Sequence, residues 1–248
     1  MAAIAIGSTR PPGVDTIPII DFGSQYAQLI ARRVREAGAF SVLMAPDVAV
    51  QEVQALAPRG IIFSGGPASI NEEGAPRCDP ALLELGVPVL GICYGMQLGC
   101  SMLGAGIERA ERREFGRARL QVQQRNGLFA SLPEDMTVWM SHGDQVTDLP
   151  SSFDVIASTD SCPAAAVRHK GGQFYGLQFH PEVTHTPHGV DLLRNFLYEV
   201  CGCQGTWRMS DFMESQCAAI PQLVGDRRVI CGLSGGVDSS VVAALLAR

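Results

Sequence analysis

The chain has 248 residues, 46% hydrophobic and 18% charged, with a formal net charge of −6. That length suits one large domain, or one domain plus part of another. The acidic balance offers no basic face for nucleic acid, and no run approaches the ~18 apolar residues needed to cross a membrane.

In chain order, residues 1–16 read as a leader. Met1–Gly7 is apolar but too short for a secretory signal and lacks a basic start. Ile17–Ile20 reads as a buried strand. Ser24 is a candidate N-cap for a helix through Ala37, because Tyr26, Leu29, Ile30 and Val34 recur at helical spacing, and Gly38 stops it. "FSVLMAP" is a second strand, "VAVQEVQALAP" a short helix, and "GIIFSGGP" a third strand running into a glycine turn. "PALLELG" is predicted helical, "VPVLGI" is a fourth strand, and a helix follows Cys93. This alternation predicts a parallel, doubly wound sheet.

After Gly104 the pattern changes. "REFGRARLQVQQ", "MTVWMSH", "DVIAST", "PAAAVRH" and "GQFYGLQFHPE" read as strands joined by short turns, extending the sheet antiparallel. "GVDLLRNFLYEV" is an amphipathic helix that closes a unit at residues 17–203. Residues 204–226 read as a linker with a helix. Residues 227–248 begin again with a strand, a glycine loop and a helix.

Eight cysteines and five histidines are scattered along the chain. No disulfide framework is evident, and Cys201 and Cys203 are too close for a zinc pair, so no metal site is expected and a reducing cytoplasm is the expected setting. One cysteine stands apart. In Gly91-Ile92-Cys93-Tyr94-Gly95 the flanking glycines match the G-x-S-x-G turn that lifts a nucleophile above a sheet. A helix N-terminus there favours thiolate. A buried structural thiol in a glycine-rich turn fits the same five residues.

A cysteine nucleophile needs a base, and the base needs an orienting group. "QFHPE" offers both. His180 and Glu182 lie two apart in extended chain, so their side chains can project to one side. A surface His-Pro-Glu turn is the competing reading. His169, His185 and His188 lack such a frame and read as surface or loop residues; His142 is open.

Together, "SGGPAS", "GICYGMQ", "WMSHGD" and "QFHPEVTHT" resemble the class I glutamine amidotransferases in order, over about Ile17 to Cys201. The resemblance implies a mixed α/β sheet flanked by helices. It implies that Cys93 attacks the glutamine carboxamide, that His180 shuttles the proton and that Glu182 orients His180. It also implies an oxyanion hole from the Gly66 and Tyr94 amides. Gln97 and the Ser141-His142-Gly143-Asp144 loop would bind glutamine. The glutaminase half would need no cofactor.

"CGLSGGVDSS" carries a second resemblance, to the pyrophosphate loop of the N-type ATP pyrophosphatases, in Ser234, Gly235, Gly236, Val237, Asp238, Ser239 and Ser240. A plain Gly/Ser-rich turn is the local alternative. The two motifs in tandem resemble glutamine-hydrolysing ligases that convert xanthosine monophosphate (XMP) to GMP with ATP and Mg2+. Those ligases are expected to be homodimers. As given, the chain ends just past the loop, so the rest of that pyrophosphatase domain and the dimerisation segment are expected to be absent. Glutamine hydrolysis alone, and weak packing after about Thr206, are then expected. An amidotransferase for another acceptor, a γ-glutamyl hydrolase of similar fold, or a non-catalytic module are the rival readings.

Overall fold

The structure is a computed structural model that describes residues 13–247. Most of the leader, residues 1–12, lies outside that range.

Among the described residues, nine strands form one sheet in the order β2-β1-β3-β4-β9-β8-β7-β5-β6. Here β1 is Thr16–Ile20, β2 Phe40–Met44, β3 Ile61–Phe63, β4 Val89–Ile92 and β5 Gly106–Val122. β6 is Asp135–Thr147, β7 Phe153–Ser158, β8 Ala166–His169 and β9 Phe174–Leu177. β2, β1, β3, β4 and β9 run parallel, whereas β8, β7, β5 and β6 continue antiparallel. The expected mixed sheet is therefore present.

The parallel strands are buried on both faces, as near-continuous apolar runs require. Ile17 and Ile19 of β1, Ile62 of β3 and Leu90 and Ile92 of β4 face a core shared with α1 (Ala27–Glu36) and α4 (Gly189–Asn195). The alternate residues Ile20, Ile61, Phe63 and Val89 face a second core. It includes Val53 of α2 (Val50–Ala55) and Met96 and Leu98 of α3 (Tyr94–Met102).

Four local expectations need correction. α1 starts at Ala27, three residues after Ser24. Asp21 Oδ1 accepts from the Gly23 and Ser24 amides, and Ser24 Oγ accepts from the Tyr26 amide, so residues 21–26 wind as a side-chain-capped turn first. "PALLE" forms a 3-10 helix at Pro80–Glu84 rather than an α-helix; Asp79 caps it through the Ala81 amide. Ser141–Asp144 is not a loop. It lies inside β6, because β5 reaches back to Gly106 and pairs with it across a bulge between Arg109 and Glu114. The strand expected at Val229–Ile230 does not form. Ile230 is 97% exposed, with no neighbouring strand among the described residues to pair with.

Beyond α4 the helix widens into a π-turn at Phe196–Val200. The segment that follows docks back on the sheet edge. Buried Asp15 accepts from the Gln204 amide at 2.6 Å and from Arg59 Nε at 3.2 Å. The Trp207 ring sits 5.1 Å from that of Phe40, centroid to centroid. After Trp207 come α5 (Met209–Val224) and α6 (Val237–Leu246); none of the α6 residues is buried.

Candidate active site

Parallel sheets place ligand sites beyond the carboxyl ends of their strands. Four such ends meet here: Asp21 after β1, Ser64–Gly66 after β3, Cys93 after β4, and Gln178–His180 after β9. Ser64 links two of them, since its Oγ accepts from the Phe22 amide at 3.0 Å and donates to Gly65 O.

Cys93 joins β4 to α3 with φ +50° and ψ −108°, a left-handed backbone that a side chain rarely adopts. Its amide donates to Leu177 O at 2.7 Å, locking the turn to β9. The flanking glycines make the turn possible by close approach. A Cβ on Gly91 would lie 2.6 Å from Gly95 O, and one on Gly95 would lie 2.4 Å from Phe63 O. The strain is thus held from both sides, as expected for a residue whose conformation serves a purpose beyond folding.

His180 lies against Cys93. A Cβ on Gly65 would sit 3.2 Å from His180 Cε1 and 3.7 Å from Cys93 Cβ, so one residue backs both. His180 Nδ1 is 2.7 Å from Glu182 Oε1, and the carboxylate is completely buried at its side chain. An ionised carboxylate only accepts, so Nδ1 carries the hydrogen and Nε2 is left for the cysteine. Thr186 fixes the histidine backbone: its hydroxyl donates to His180 O at 2.7 Å and accepts from the Trp139 amide at 3.0 Å.

Burial pushes His180 down, but hydrogen bonds to Cys93 and Glu182, with their charges, outweigh it and raise the imidazolium to about 10. The folded value lies above the ordinary 6.5. The stabilisation this pairing supplies is therefore complete below pH 6.5 and is lost as pH rises through about 10. A Cys93→Ala substitution removes one partner, so the His180 ring is expected to titrate below its wild-type midpoint. Adding Glu182→Gln should lower it again, leaving burial to dominate. NMR titration of the His180 ring reads both steps; a midpoint unmoved by both changes would contradict the pairing.

Five other cysteines are buried. Burial pushes Cys78, Cys162 and Cys203 up to about 12 and also raises Cys100 and Cys201, which keeps them as inert thiols at neutral pH.

A pocket of about 630 Å³ opens over Cys93. Its walls include Gly66, Tyr94, Gln97, Ser141, Gly143 and Asp144, so every expected oxyanion and glutamine-contact position borders it. Gln97 Nε2 donates to Asp144 O at 2.9 Å and to Gln178 Oε1 at 3.2 Å. His142 also borders the pocket and faces two acceptors, Asp144 O at 2.9 Å and Glu114 Oε2 at 3.1 Å.

The donor atoms of Glu114, His142 and Cys162 fall within 4.8 Å of one another. The Glu114 carboxylate already meets His142, Thr159 and Ser161, so the cluster works as a hydrogen-bonded hub that braces β6.

Sequence reasoning assigned no role to Gln178, Thr186 or Glu114. Gln178 was within reach of it, because it precedes His180 by the same two-residue step that relates His180 to Glu182. Glu114 was not, since its partners lie 28 and more residues away.

The seven loop residues Ser234–Ser240 lie apart from this pocket, at the start of α6. Gly235 has φ +83°, and Ser234 Oγ meets both Ser239 Oγ and the Gly236 amide.

Fold and site together describe an α/β protein with a cysteine–histidine–carboxylate set at the carboxyl edge of parallel strands. The glutamine amidotransferase class-I profile matches residues 18–200, and an asparagine synthase profile matches residues 217–248. The chain belongs to the class I glutamine amidotransferase family. It is 53% identical over 232 residues to the glutamine-hydrolysing GMP synthase of Bacillus mycoides, and equally so to that of Bacillus anthracis. Those alignments cover 94% of this chain and 45% of each relative, so the chain spans about half the length of the curated relatives it matches. Among solved structures, a provisionally assigned GMP synthase subunit from Thermoplasma acidophilum aligns with TM-score 0.70 at 32% identity. That alignment covers 76% of this chain and 94% of the other. A glutamine amidotransferase from Thermotoga maritima shares the fold, with TM-score 0.60 at 21% identity over 76% of this chain and 98% of the other.

Proposed function

We propose that this chain hydrolyses glutamine to glutamate and ammonia, using Cys93 as nucleophile, His180 as proton carrier and Glu182 as its orienting group. The observation that carries the reading is Cys93 in a strained turn beside a histidine whose Nδ1 is held 2.7 Å from a buried glutamate. Gln97, Ser141, Gly143 and Asp144 hold the substrate, and the Gly66 and Tyr94 amides face its oxyanion. Tyr94 is the first residue of α3, where backbone amides lack intrahelical partners.

The Cys93 thiolate adds to the carboxamide carbon, and the developing oxyanion is held by backbone N–H donors. His180 gives its proton to the departing nitrogen, releasing ammonia and leaving a γ-glutamyl thioester. Water attacks the thioester as His180 takes its proton, and the thiolate departs from glutamate.

The reading extends to a longer protein. Residues 17–203 form the amidotransferase unit, 204–226 a linker, and 227–248 the start of an ATP pyrophosphatase domain. The 53% identity to GMP synthases supports XMP as the acceptor of the ammonia. The Ser234–Ser240 loop suits a pyrophosphate group: it offers the hydroxyls of exposed Ser234 and Ser240 and half-buried Ser239, Gly235 at positive φ, and the start of a ten-residue helix. There ATP, with Mg2+, would activate the XMP carbonyl. A cytoplasmic homodimer is the proposed assembly of that longer protein.

A glutamine-like diazoketone is expected to label Cys93 at one equivalent per chain, with glutamine protecting it. Labelling of another cysteine, or no protection by glutamine, would overturn the reading.

A further inference from the structure

Among the described residues, Cys93 Sγ has polar contacts with Ser141, His180 and Gln178, and they do not favour the same charge state. Ser141 O lies 3.6 Å away and can only accept, so it favours the protonated thiol. His180 favours the thiolate when it carries a proton. The third neighbour is the Gln178 side chain, whose Nε2 lies 3.7 Å from the sulfur.

The network fixes which end of that amide faces the sulfur. Asp144 O accepts only, so the Gln97 group 2.9 Å from it is the amide nitrogen. The same nitrogen donates to the Gln178 group at 3.2 Å, which must therefore be the carbonyl oxygen. That leaves the Gln178 NH2 turned toward Cys93. Gln178 is fully buried, so water does not compete for this contact. Its backbone is also pinned, the amide donating to Ala165 O at 2.9 Å. A donor held on sulfur stabilises the anion over the thiol.

We propose that Gln178 is a catalytic residue: its amide N–H holds the Cys93 thiolate, and the Asp144–Gln97 hydrogen bonds keep that N–H aimed. The inference rests on Cys93 being the nucleophile. The contact works twice. Before attack it raises the thiolate fraction; at thioester hydrolysis it receives the sulfur as leaving group. A stabilised thiolate is also a weaker nucleophile, but that loss follows only about 0.4–0.5 of the gain in acidity, so the gain in population wins.

Removing one hydrogen bond to a charged group is expected to cost about tenfold to a hundredfold in rate. Gln178→Met keeps the length and apolar fit but has no donor. The expected result is a drop of that size in kcat for glutamine; KM also responds to the extent that Gln97, which loses its Gln178 acceptor, holds the substrate. Independently of turnover, iodoacetamide should alkylate Cys93 with a pH profile displaced upward by about one unit, a tenfold effect at fixed pH. Besides His180 and Glu182, the titratable groups around the sulfur are Glu72, Tyr94, Arg109, His142 and Asp144, which line the same pocket. None of them is altered by the substitution.

Gln97→Met is the second variant. It leaves the sulfur contact in place but frees the amide to flip, so a smaller displacement in the same direction is expected. If Gln178→Met fails to fold, Gln97→Met decides. An unchanged alkylation profile in the folded variant would overturn the proposal while leaving Cys93 as nucleophile. Turnover by Cys93→Ala would overturn the nucleophile itself.

Discussion

Cys93→Ala is expected to reduce glutamine hydrolysis by at least about a thousandfold, because without the sulfur no thioester can form. The fold should survive. The Cys93 amide bond to Leu177 O is a backbone contact that alanine keeps. The informative comparison is with Cys93→Gly. Both variants lack the nucleophile, so both should be equally inactive. In most settings glycine is less stable than alanine by roughly 0.5–1 kcal/mol, through the freedom of its unfolded chain. At φ +50° and ψ −108°, however, any Cβ bears strain of about 1–3 kcal/mol, and glycine is free of it. The glycine variant is therefore expected to melt at or above the alanine variant. A glutaminase assay and thermal unfolding of the pair read both claims. Residual turnover would remove Cys93 from the chemistry, and a clearly less stable glycine variant would show that the turn is relaxed.

That strain connects fold to chemistry. The strand β4 ends and α3 begins at a single residue, with no loop to absorb the change of direction. Cys93 takes up the whole bend, and its buried side chain sits at the margin of the first core, where it meets His180 and lines the pocket. The stabilisation that holds it there comes from elsewhere: β4 is hydrogen-bonded between β3 and β9, and the apolar residues of α3 pack beneath.

The sequence made the parallel half legible because two periodicities alternate there without conflict. Apolar strands buried on both faces are followed by helices with one apolar stripe. The Cys93 and His180–Glu182 positions were legible because each rests on spacing of two to four residues. What escaped was set by distant partners. Ser24 looks like an N-cap, yet Asp21 takes its amide and delays the helix. The resemblance implied a loop at Ser141–Asp144, yet pairing with β5 draws it into a strand. Val229–Ile230 looks like a strand, yet local propensity cannot make one without a neighbour. Gln178 reads as an unremarkable polar residue after a strand. Its importance appears only when Gln97 and Asp144, 81 and 34 residues earlier in the chain, fix the direction of its amide.

Gly95→Ala is expected to be among the most damaging single-methyl changes in the chain, costing about 3 kcal/mol or more, since large losses of this kind come from overpacking against atoms that cannot move. The added Cβ would stand 2.4 Å from Phe63 O, 2.6 Å from Phe63 Cβ and 2.7 Å from Phe63 C. No flexible side-chain end can swing away. Phe63 belongs to β3, which is hydrogen-bonded between β1 and β4, and its ring is buried in the second core. Relief therefore requires α3 to withdraw from the sheet. That would stretch the Gly95 amide bond to Ser64 O, now 3.0 Å, and draw Cys93 away from His180. Activity should fall together with stability. Gly74→Ala is the control: unlike Gly95, Gly74 has positive φ (+78°), but a Cβ there meets nothing within 4 Å. Its cost is only the left-handed strain of about 1 kcal/mol. Urea unfolding midpoints of the two variants, with glutaminase rates at matched folded fraction, separate the effects. Equal losses of stability would mean that the helix can shift cheaply, and close approach would then not account for the glycines flanking Cys93.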